Sequence, residues 1–193
     1  MINDKKEKMT FKKWIGRKWL KLHGWTLDGQ IPPEIKKCVV IEAPHTSMMD
    51  FVIGKMFFLS EGKPAFFLIK KELFRIPLLG CILKKMGGIP VDRSGHNNIV
   101  NDVTKAIKAT DEIYIVMTPE GSRKLVTRWK RGFYYIAEKA EVPVIMGFIN
   151  YKTKHCGYGP VLNPSGNFDE DWKIIEGFYR GMGAKYPEKF NLS

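Results

Sequence analysis

The residues best suited to chemistry lie in the stretch Glu-Ala-Pro-His-Thr-Ser-Met-Met-Asp at positions 42–50. Four residues separate its histidine, His45, from its aspartate, Asp50. A carboxylate that holds the proton on one imidazole nitrogen leaves the other nitrogen free to take a proton from a substrate hydroxyl. The pair therefore predicts general-base catalysis at a hydroxyl group.

The spacing of His45 and Asp50 does not suit a regular helix, because residues five apart lie about 140° from each other around its axis. Pro44 disfavours helix in the residue before it, so the preceding strand is expected to end there and His45 to lie in a loop. The next helix then begins with Thr46 or Ser47 as its N-cap, which puts Asp50 in the first turn, within reach of the imidazole.

Two simpler interpretations of this stretch stay open. Ser47 and Asp50 have the spacing of a capping box, in which each side chain bonds a backbone N–H group of the first helical turn. His45 taken alone could be an ordinary surface histidine. The stretch by itself does not decide between catalysis and helix capping.

Two other blocks put charged residues just past the ends of expected strands. Residues 87–93 read Gly-Gly-Ile-Pro-Val-Asp-Arg, ending at Arg93, and residues 118–123 read Thr-Pro-Glu-Gly-Ser-Arg. Open α/β sheets bind ligands beyond the carboxyl ends of their strands. Both blocks are therefore expected near a ligand pocket, which favours the catalytic interpretation.

The elements that must position these residues alternate along the chain. Strands are expected at residues 38–43, 65–69, 89–91, 113–117 and 142–149, and helices at 47–59, 77–86, 97–109, 132–140 and 169–182. With 193 residues, of which 44% are hydrophobic, the chain suits one domain. The alternation predicts an α/β fold in which a mixed, mostly parallel sheet is flanked by helices.

An amphipathic helix is expected at Phe11–Leu22, where apolar side chains recur at spacings of three and four residues among lysines and an arginine. Tryptophan-bearing basic helices suit the headgroup region of a membrane. The alternative is that the apolar face packs on the domain core. The sequence contains no apolar run of the roughly 18 to 20 residues that span a bilayer.

The chain carries 32 Lys and Arg against 20 Asp and Glu, a net charge of +12, so an anionic partner is expected. Its cysteines are odd in number and lack CxxC spacing, which indicates a reducing, cytosolic setting rather than a disulfide framework. Cys38 and Cys81 lie in apolar segments and are expected to be core thiols.

Four blocks, in this order, resemble the lysophosphatidic acid acyltransferase family of the glycerolipid acyltransferase group. They are the His45–Asp50 pair, the glycine-to-arginine block at 87–93, the proline-glutamate-glycine block at 118–123 and the valine-proline strand start at 142–145. The likeness runs from about residue 38 to residue 149. It implies a glycerolipid acyltransferase-like fold and direct attack of an activated hydroxyl on an acyl thioester.

The resemblance implies a role for each matching residue. His45 is the expected general base and Asp50 the carboxylate that orients it. Arg93 is expected to bind the acceptor's phosphate, because a guanidinium matches phosphate oxygens. The rest of the acceptor pocket is expected to consist of Glu120, Gly121 and Arg123.

The expected reaction uses an acyl-CoA or acyl carrier protein thioester as co-substrate and needs no cofactor and no metal. The implied acceptor is 1-acylglycerol 3-phosphate, with a lyso-aminolipid or another lipid alcohol as the alternative. Pro44 and Thr118 stand where the family usually has asparagine and phenylalanine, which indicates a subgroup and leaves the acceptor open.

The resemblance also divides the chain. Residues 1–30 are expected to form an N-terminal amphipathic segment at the membrane interface, and residues 31–193 the acyltransferase domain. The protein would then lie on the cytoplasmic side of an anionic membrane as a peripheral or monotopic enzyme of phospholipid biosynthesis.

Two functions from other classes compete with this one. The positive charge, seven tyrosines and five tryptophans could form a nucleic-acid surface, but no nucleic-acid-binding motif is present and no nucleic acid is expected as a partner. A non-catalytic lipid-binding relative is disfavoured because both His45 and Asp50 are in place.

Overall fold

The computed structural model describes residues 9–91 and 96–192. Its strands are β1 (Thr26–Asp28), β2 (Lys37–Ala43), β3 (Ala65–Lys70), β4 (Gly88–Val91), β5 (Ile113–Met117), β6 (Val144–Asn150) and β7 (His155–Leu162). Its helices are α1 (Phe11–Leu22), α2 (Met48–Glu61), α3 (Leu79–Lys85), α4 (His96–Lys108), α5 (Gly132–Ala140) and α6 (Phe168–Tyr179). Short 3₁₀ turns lie at Lys71–Arg75 and Pro187–Lys189.

The strands form one sheet in the order β1-β7-β6-β2-β5-β3-β4. Every neighbouring pair is parallel except β6 and β7, which are antiparallel. The central strands β2 and β5 are almost entirely buried, as expected for parallel strands covered on both faces. The predicted α/β fold with a mixed, mostly parallel sheet is confirmed.

Helices cover both faces of the sheet and enclose two apolar cores. Leu20 of α1 and Phe57 of α2 pack against alternate residues of β2, such as Val40. Ile107 of α4 and Ile136 of α5 pack on the opposite face, together with α6. The sheet therefore lies between an α1–α2 layer and an α4–α6 layer.

The α3 helix belongs to the same layer as α1 and α2. The Nζ atom of Lys55 on α2 donates a 2.6 Å hydrogen bond to the carbonyl of Met86, the residue that ends α3. Burial lowers the pKa of Lys55, and the charge of Lys12 on α1 lowers it further. Lys55 thus joins α2 to the end of α3 by a hydrogen bond, and it lies near enough to α1 for the charge of Lys12 to act on it.

Several features differ from the sequence-based expectation. Strands β1 and β7 were not predicted, and β1 lies inside the 1–30 segment while pairing with β7. Cys38 is buried as expected, but Cys81 is exposed because it lies on the outer side of the short helix α3. The prediction for Arg93 falls outside the described residues.

The α1 helix packs on α2 through a face that has little apolar area. Gly16 lies directly against the backbone of Met56 and Ser60, so that even a Cβ atom would clash there. The stripe predicted to be apolar is largely turned to solvent, since Phe11, Trp14, Ile15 and Leu22 are exposed and Trp19 is partly buried against the core. Core packing therefore accounts for Trp19 and not for the other four.

Within the described residues, every helix is too short or too polar to cross a bilayer.

Candidate active site

The carboxyl ends of β2 and β5 bring the two main sequence blocks together. Ile41 of β2 pairs with Met117 of β5, so the chain leaves both strands at the same level of the sheet. His45 follows β2 and Glu120 follows β5. Because parallel strands end at one edge, residues 75 positions apart become neighbours, and the His45 N–H donates to the Glu120 carboxylate at 2.9 Å.

The loop that carries His45 has the predicted course. Strand β2 ends at Ala43, the Ala43–Pro44 peptide bond is cis, and α2 begins after its N-cap Ser47. The Ser47 hydroxyl accepts a hydrogen bond from the Met49 N–H at 3.0 Å. Asp50 therefore lies in the first turn of α2, as the sequence predicts.

Asp50 is fully buried and anchors this loop through three hydrogen bonds. Its Oδ2 atom accepts from the N–H groups of Thr46 and Ser47, both at 2.7 Å. Its Oδ1 atom accepts from the Tyr151 hydroxyl, also at 2.7 Å. The capping box that the spacing of Ser47 and Asp50 allows is thus present. The same carboxylate also accepts the hydrogen bond of Tyr151, which follows β6.

The imidazole of His45 lies beside Asp50 without a hydrogen bond to it. Nδ1 of His45 is 3.6 Å from Oδ2 of Asp50, and this nitrogen is buried without a hydrogen-bond partner among the described residues. The expected hydrogen bond between them is therefore absent, because the loop N–H groups already occupy Oδ2. The carboxylate can still act on the imidazole through its charge.

Burial favours the neutral form of His45. Desolvation lowers the pKa of the imidazole, Arg123 lowers it further, and the negative charge of Asp50 opposes both. A neutral imidazole is the form that can accept a proton. The side chain keeps 17% of its surface exposed, so a substrate can reach it.

Glu120 faces the backbone of His45. Both of its carboxylate oxygens lie within hydrogen-bonding distance of the His45 N–H, at 2.9 and 3.1 Å. Burial, opposed by the hydrogen bond from His45 and reinforced by the charge of Asp50, raises the pKa of Glu120 to about 7. In this geometry Glu120 holds the His45 loop in place.

A third carboxyl group, that of Glu42, lies near the end of strand β2, just before the His45 loop. It is buried over Gly54 of α2, where a Cβ atom would come within 2.5 Å of its Oε2 atom. Burial, together with the charges of Asp50 and Glu120, raises the pKa of Glu42 to about 8. The carboxyl groups of Glu42, Asp50 and Glu120 are thus buried near one another, and burial raises the pKa of Glu42 and Glu120.

Glu42 should make the stability of the protein depend on pH. Its pKa rises from 4.5 to about 8 on folding, so the folded state binds the proton more tightly, and stability is lost as the pH rises through this window. Glu42→Gln should then melt at least about 3 °C higher than wild type above pH 8. At pH 4.5 the two should melt together.

The matched control for Glu42→Gln is Glu138→Gln, which removes an exposed carboxylate from α5. Melting followed by circular dichroism at both pH values should show no pH-dependent gain for the control. A gain for Glu42→Gln that is equal at both pH values would contradict the raised pKa.

A cleft of about 460 Å³ opens beside the His45 loop. Its lining comes from the start of α2, the loop after β5 and the end of the chain: Thr46, Ser47, Met48, Ser122, Arg123, Lys124, Tyr186 and Lys189. The C-terminal segment is tied to the loop, since the Tyr186 N–H donates to the Thr46 hydroxyl at 3.3 Å. The cleft is strongly cationic, and its described lining includes no carboxylate.

Gly121 and Arg123 lie in the turn between Glu120 and this cleft. The Gly121 N–H donates to the Thr118 carbonyl at 3.0 Å, and Gly121 has a φ of +65°. A residue with a side chain is strained in that conformation, so glycine is needed for the turn itself. The turn directs the chain so that Arg123 lines the cleft.

The family model described as Acyltransferase matches residues 27–147, which is more than half of the chain. The chain belongs to this acyltransferase family. The matched range contains His45, Asp50, Glu120, Gly121 and Arg123.

Known acyltransferases are similar to this family member over part of their length. A lysophosphatidylcholine acyltransferase of Drosophila melanogaster is 25% identical over 171 residues, which are 85% of this chain and 30% of that protein. A 1-acyl-sn-glycerol-3-phosphate acyltransferase of Streptococcus pneumoniae is 28% identical over 130 residues, 63% of this chain and 47% of that protein. The chain spans about a third to a half of these curated relatives.

A solved acyltransferase structure shares the fold. The crystal structure of the 1-acyl-sn-glycerophosphate acyltransferase of Thermotoga maritima aligns with a TM-score of 0.63 and 17% identity. The alignment covers 90% of this chain and 79% of that one. The acyltransferase-like architecture predicted from the sequence is therefore confirmed.

Sequence reasoning missed three parts of the candidate site. Glu42 could have been found, because it is an acid inside an apolar strand. Tyr151 lies 101 residues from Asp50, with no motif around it. Tyr186 and Lys189 reach the cleft only because the chain after α6 returns to the His45 loop.

Proposed function

We propose that the protein transfers a fatty acyl group from a thioester to the hydroxyl of a lysophospholipid, with 1-acylglycerol 3-phosphate as the preferred acceptor. The observation that carries the proposal is a partly buried His45, whose imidazole pKa is lowered by desolvation, in a loop whose next residues, Thr46 and Ser47, line a cationic cleft of about 460 Å³. This arrangement combines a proton acceptor with a site for an anionic headgroup.

In the proposed reaction the imidazole of His45 takes the proton of the acceptor hydroxyl through Nε2. The hydroxyl oxygen attacks the thioester carbonyl carbon, and the bond between that carbon and sulfur breaks. The sulfur leaves as a thiolate and receives the proton from the imidazolium, which returns His45 to its neutral form. The buried charge of Asp50 stabilises the imidazolium in between.

The composition of the cleft favours a phosphate monoester as the acceptor headgroup. Arg123, Lys124 and Lys189 present cations, and Lys189 lies over the ring of Tyr186 at 4.3 Å from its centre. A choline headgroup is itself cationic and would meet these side chains unfavourably. The proposal also assigns Arg93 to the phosphate, because the resemblance of the sequence to the family implies that contact.

Replacing Arg123 with alanine should weaken binding of phosphorylated acceptors. A hydrogen bond to a charged group contributes about 1.5 to 3 kcal/mol, which corresponds to a rise in KM of about tenfold to a hundredfold. Initial rates are measured with 1-acylglycerol 3-phosphate and with a 1-acylglycerol that lacks the phosphate. The loss should appear with the phosphorylated acceptor only.

The control for Arg123→Ala is Arg128→Ala, which removes an exposed arginine that does not line the cleft. It should leave KM unchanged for both acceptors. Equal losses for both acceptors in Arg123→Ala, or preference of the wild type for lysophosphatidylcholine, would contradict the assignment of the cleft to a phosphate monoester.

The proposed acyl donor is an acyl-CoA or acyl carrier protein thioester, and both are anionic partners for a chain of net charge +12. The proposed place of action is the surface of an anionic membrane on its cytoplasmic side. Support for membrane contact comes from α1, whose exposed stripe combines Phe11, Trp14 and Leu22 with neighbouring lysines.

A further inference from the structure

The two helical layers differ in how much apolar surface they expose. In the part of the chain that the structure describes, the helices α4–α6 expose two large apolar side chains, Tyr135 and Ile174. The opposite layer, with the connection from β3 to β4, exposes Phe11, Trp14, Ile15, Leu22, Met48, Met49, Leu73, Ile76, Leu78 and Ile82. Apolar exposure concentrated on one side marks an interaction surface.

Four of these side chains lie on the β3–β4 connection, residues 70–85, which is separate from α1. This segment starts with the last residue of β3, so its 3₁₀ turn lies at the sheet edge that carries His45. Its exposed apolar residues are Leu73, Ile76, Leu78 and Ile82. They follow one another along the connection and give the α1–α3 layer a second set of exposed apolar side chains.

Leu78 forms the tip of this connection in an unusual backbone conformation. It has a φ of 63° and a ψ of −52°, and the Leu79 N–H donates to the Pro77 carbonyl at 2.7 Å across it. This is a γ-turn of the rare, strained kind. The leucine is nevertheless 76% exposed, so its side chain packs little against the rest of the protein. Strain at an apolar, exposed tip points to a contact outside the chain.

Basic side chains accompany the apolar ones. The connection contains one acid, Glu72, and five cations, Lys70, Lys71, Arg75, Lys84 and Lys85. Apolar residues with adjacent lysines and arginines suit the boundary of an anionic bilayer, where the apolar groups enter the interface and the cations meet lipid phosphates.

We propose that the β3–β4 connection is a second membrane-contact element that inserts Leu78 and Ile82 into an anionic bilayer interface. The proposal rests on the proposed function in one respect, because a lipid acceptor is the reason for the enzyme to meet a bilayer. A bilayer is favoured over an acidic protein because Lys55 and Met86 hold the connection in the same layer as α1. A single bilayer surface can therefore contact both α1 and the β3–β4 connection.

The test is cosedimentation of the whole chain with vesicles of phosphatidylglycerol and phosphatidylcholine in equal amounts. Leu78→Ser with Ile82→Ser should reduce vesicle affinity by about tenfold or more, because burying a leucine-sized side chain in the bilayer interface contributes substantially to the free energy of binding. The matched control, Tyr135→Ser with Ile174→Ser, removes the two exposed apolar groups of the opposite layer and should bind as wild type. Lys84→Gln with Lys85→Gln should weaken binding to these vesicles and reduce its salt dependence.

Folding and catalysis are monitored separately. Circular dichroism melting should be unchanged in these variants, since the replaced side chains are exposed. Turnover of a short-chain, monomeric acceptor should match the wild type, because no vesicle is involved. Wild type that turns over no monomeric acceptor but binds vesicles as described would count against the proposed function and leave the membrane element standing.

A vesicle affinity that Leu78→Ser with Ile82→Ser leaves unchanged would overturn the membrane element. If turnover from an acyl carrier protein thioester were then selectively lost in the same variant, the surface would be assigned to a protein donor instead.

Discussion

His45→Ala should lower turnover by about a hundredfold to ten-thousandfold, the usual contribution of a general base. The expected loss is in kcat, because in the proposed reaction the imidazole acts on the proton of the acceptor hydroxyl, and the cationic cleft proposed to hold the headgroup stays intact. Thiol release under saturating donor and acceptor measures it directly.

The fold should survive this replacement. Nδ1 of His45 has no hydrogen-bond partner among the described residues, and the backbone contact to Glu120 needs no side chain. Melting temperature should therefore stay close to that of wild type. The control His155→Ala removes a histidine at the start of β7 and should retain full turnover. Turnover within a few-fold of wild type in His45→Ala would rule out its role as base.

Asp50→Asn should lower turnover by about a hundredfold to a thousandfold. Two unit charges about 4 Å apart interact by about 4 kcal/mol at the effective dielectric of a protein site, and asparagine removes this stabilisation of the imidazolium. The relevant separation is 3.6 Å between Nδ1 of His45 and Oδ2 of Asp50. The amide oxygen can still accept from Thr46 and Ser47, so the loop should keep its course.

Tyr151→Phe separates the charge of Asp50 from its positioning by hydrogen bonds. It removes the 2.7 Å bond to Oδ1 and leaves the carboxylate charged. A hydrogen bond to a charged group contributes about 1.5 to 3 kcal/mol, and only the part that positions the carboxylate beside the imidazole affects turnover, so the fall should be smaller than in Asp50→Asn. If Asp50→Asn lost no more activity than Tyr151→Phe, Asp50 would serve only as the cap of α2.

Much of the fold could be predicted because its signals are local. Ile113–Met117 is a continuous apolar run, and strand β5 has these bounds. Gly132–Ala140 shows helical periodicity and forms α5. Pro44 fixed the expected end of β2 and the loop position of His45.

Strands β1 and β7 could not be predicted, because their stability depends on partners distant in sequence. β7 contains Gly157, Gly159 and Pro160, which are rare in strands. In the fold, Gly157 lies against the backbone of Asp28, and a side chain there would clash. A glycine that weakens a strand locally thus permits the close approach of β1.

The candidate site was predictable where one block supplies both partners. Residues 42–50 contain His45, Asp50 and the cap, so spacing alone placed them together. The contact of Glu120 with the His45 N–H depends on the pairing of β2 with β5, which the sequence does not specify. The expected hydrogen bond between His45 and Asp50 was wrong, because the competition of two loop N–H groups for Oδ2 appears only in three dimensions.

The most direct test of the proposed acyltransferase activity is acceptor-dependent thiol release from palmitoyl-CoA and from a palmitoyl acyl carrier protein thioester. Wild type and His45→Ala are compared with 1-acylglycerol 3-phosphate, lysophosphatidylcholine, a lyso-aminolipid and glycerol 3-phosphate. We expect release with at least one donor, fastest with 1-acylglycerol 3-phosphate, formation of the diacyl product by mass spectrometry, and loss of both signals in His45→Ala. Absence of acceptor-dependent release with either donor, by a wild-type protein that is folded and supplied with anionic vesicles, would contradict it.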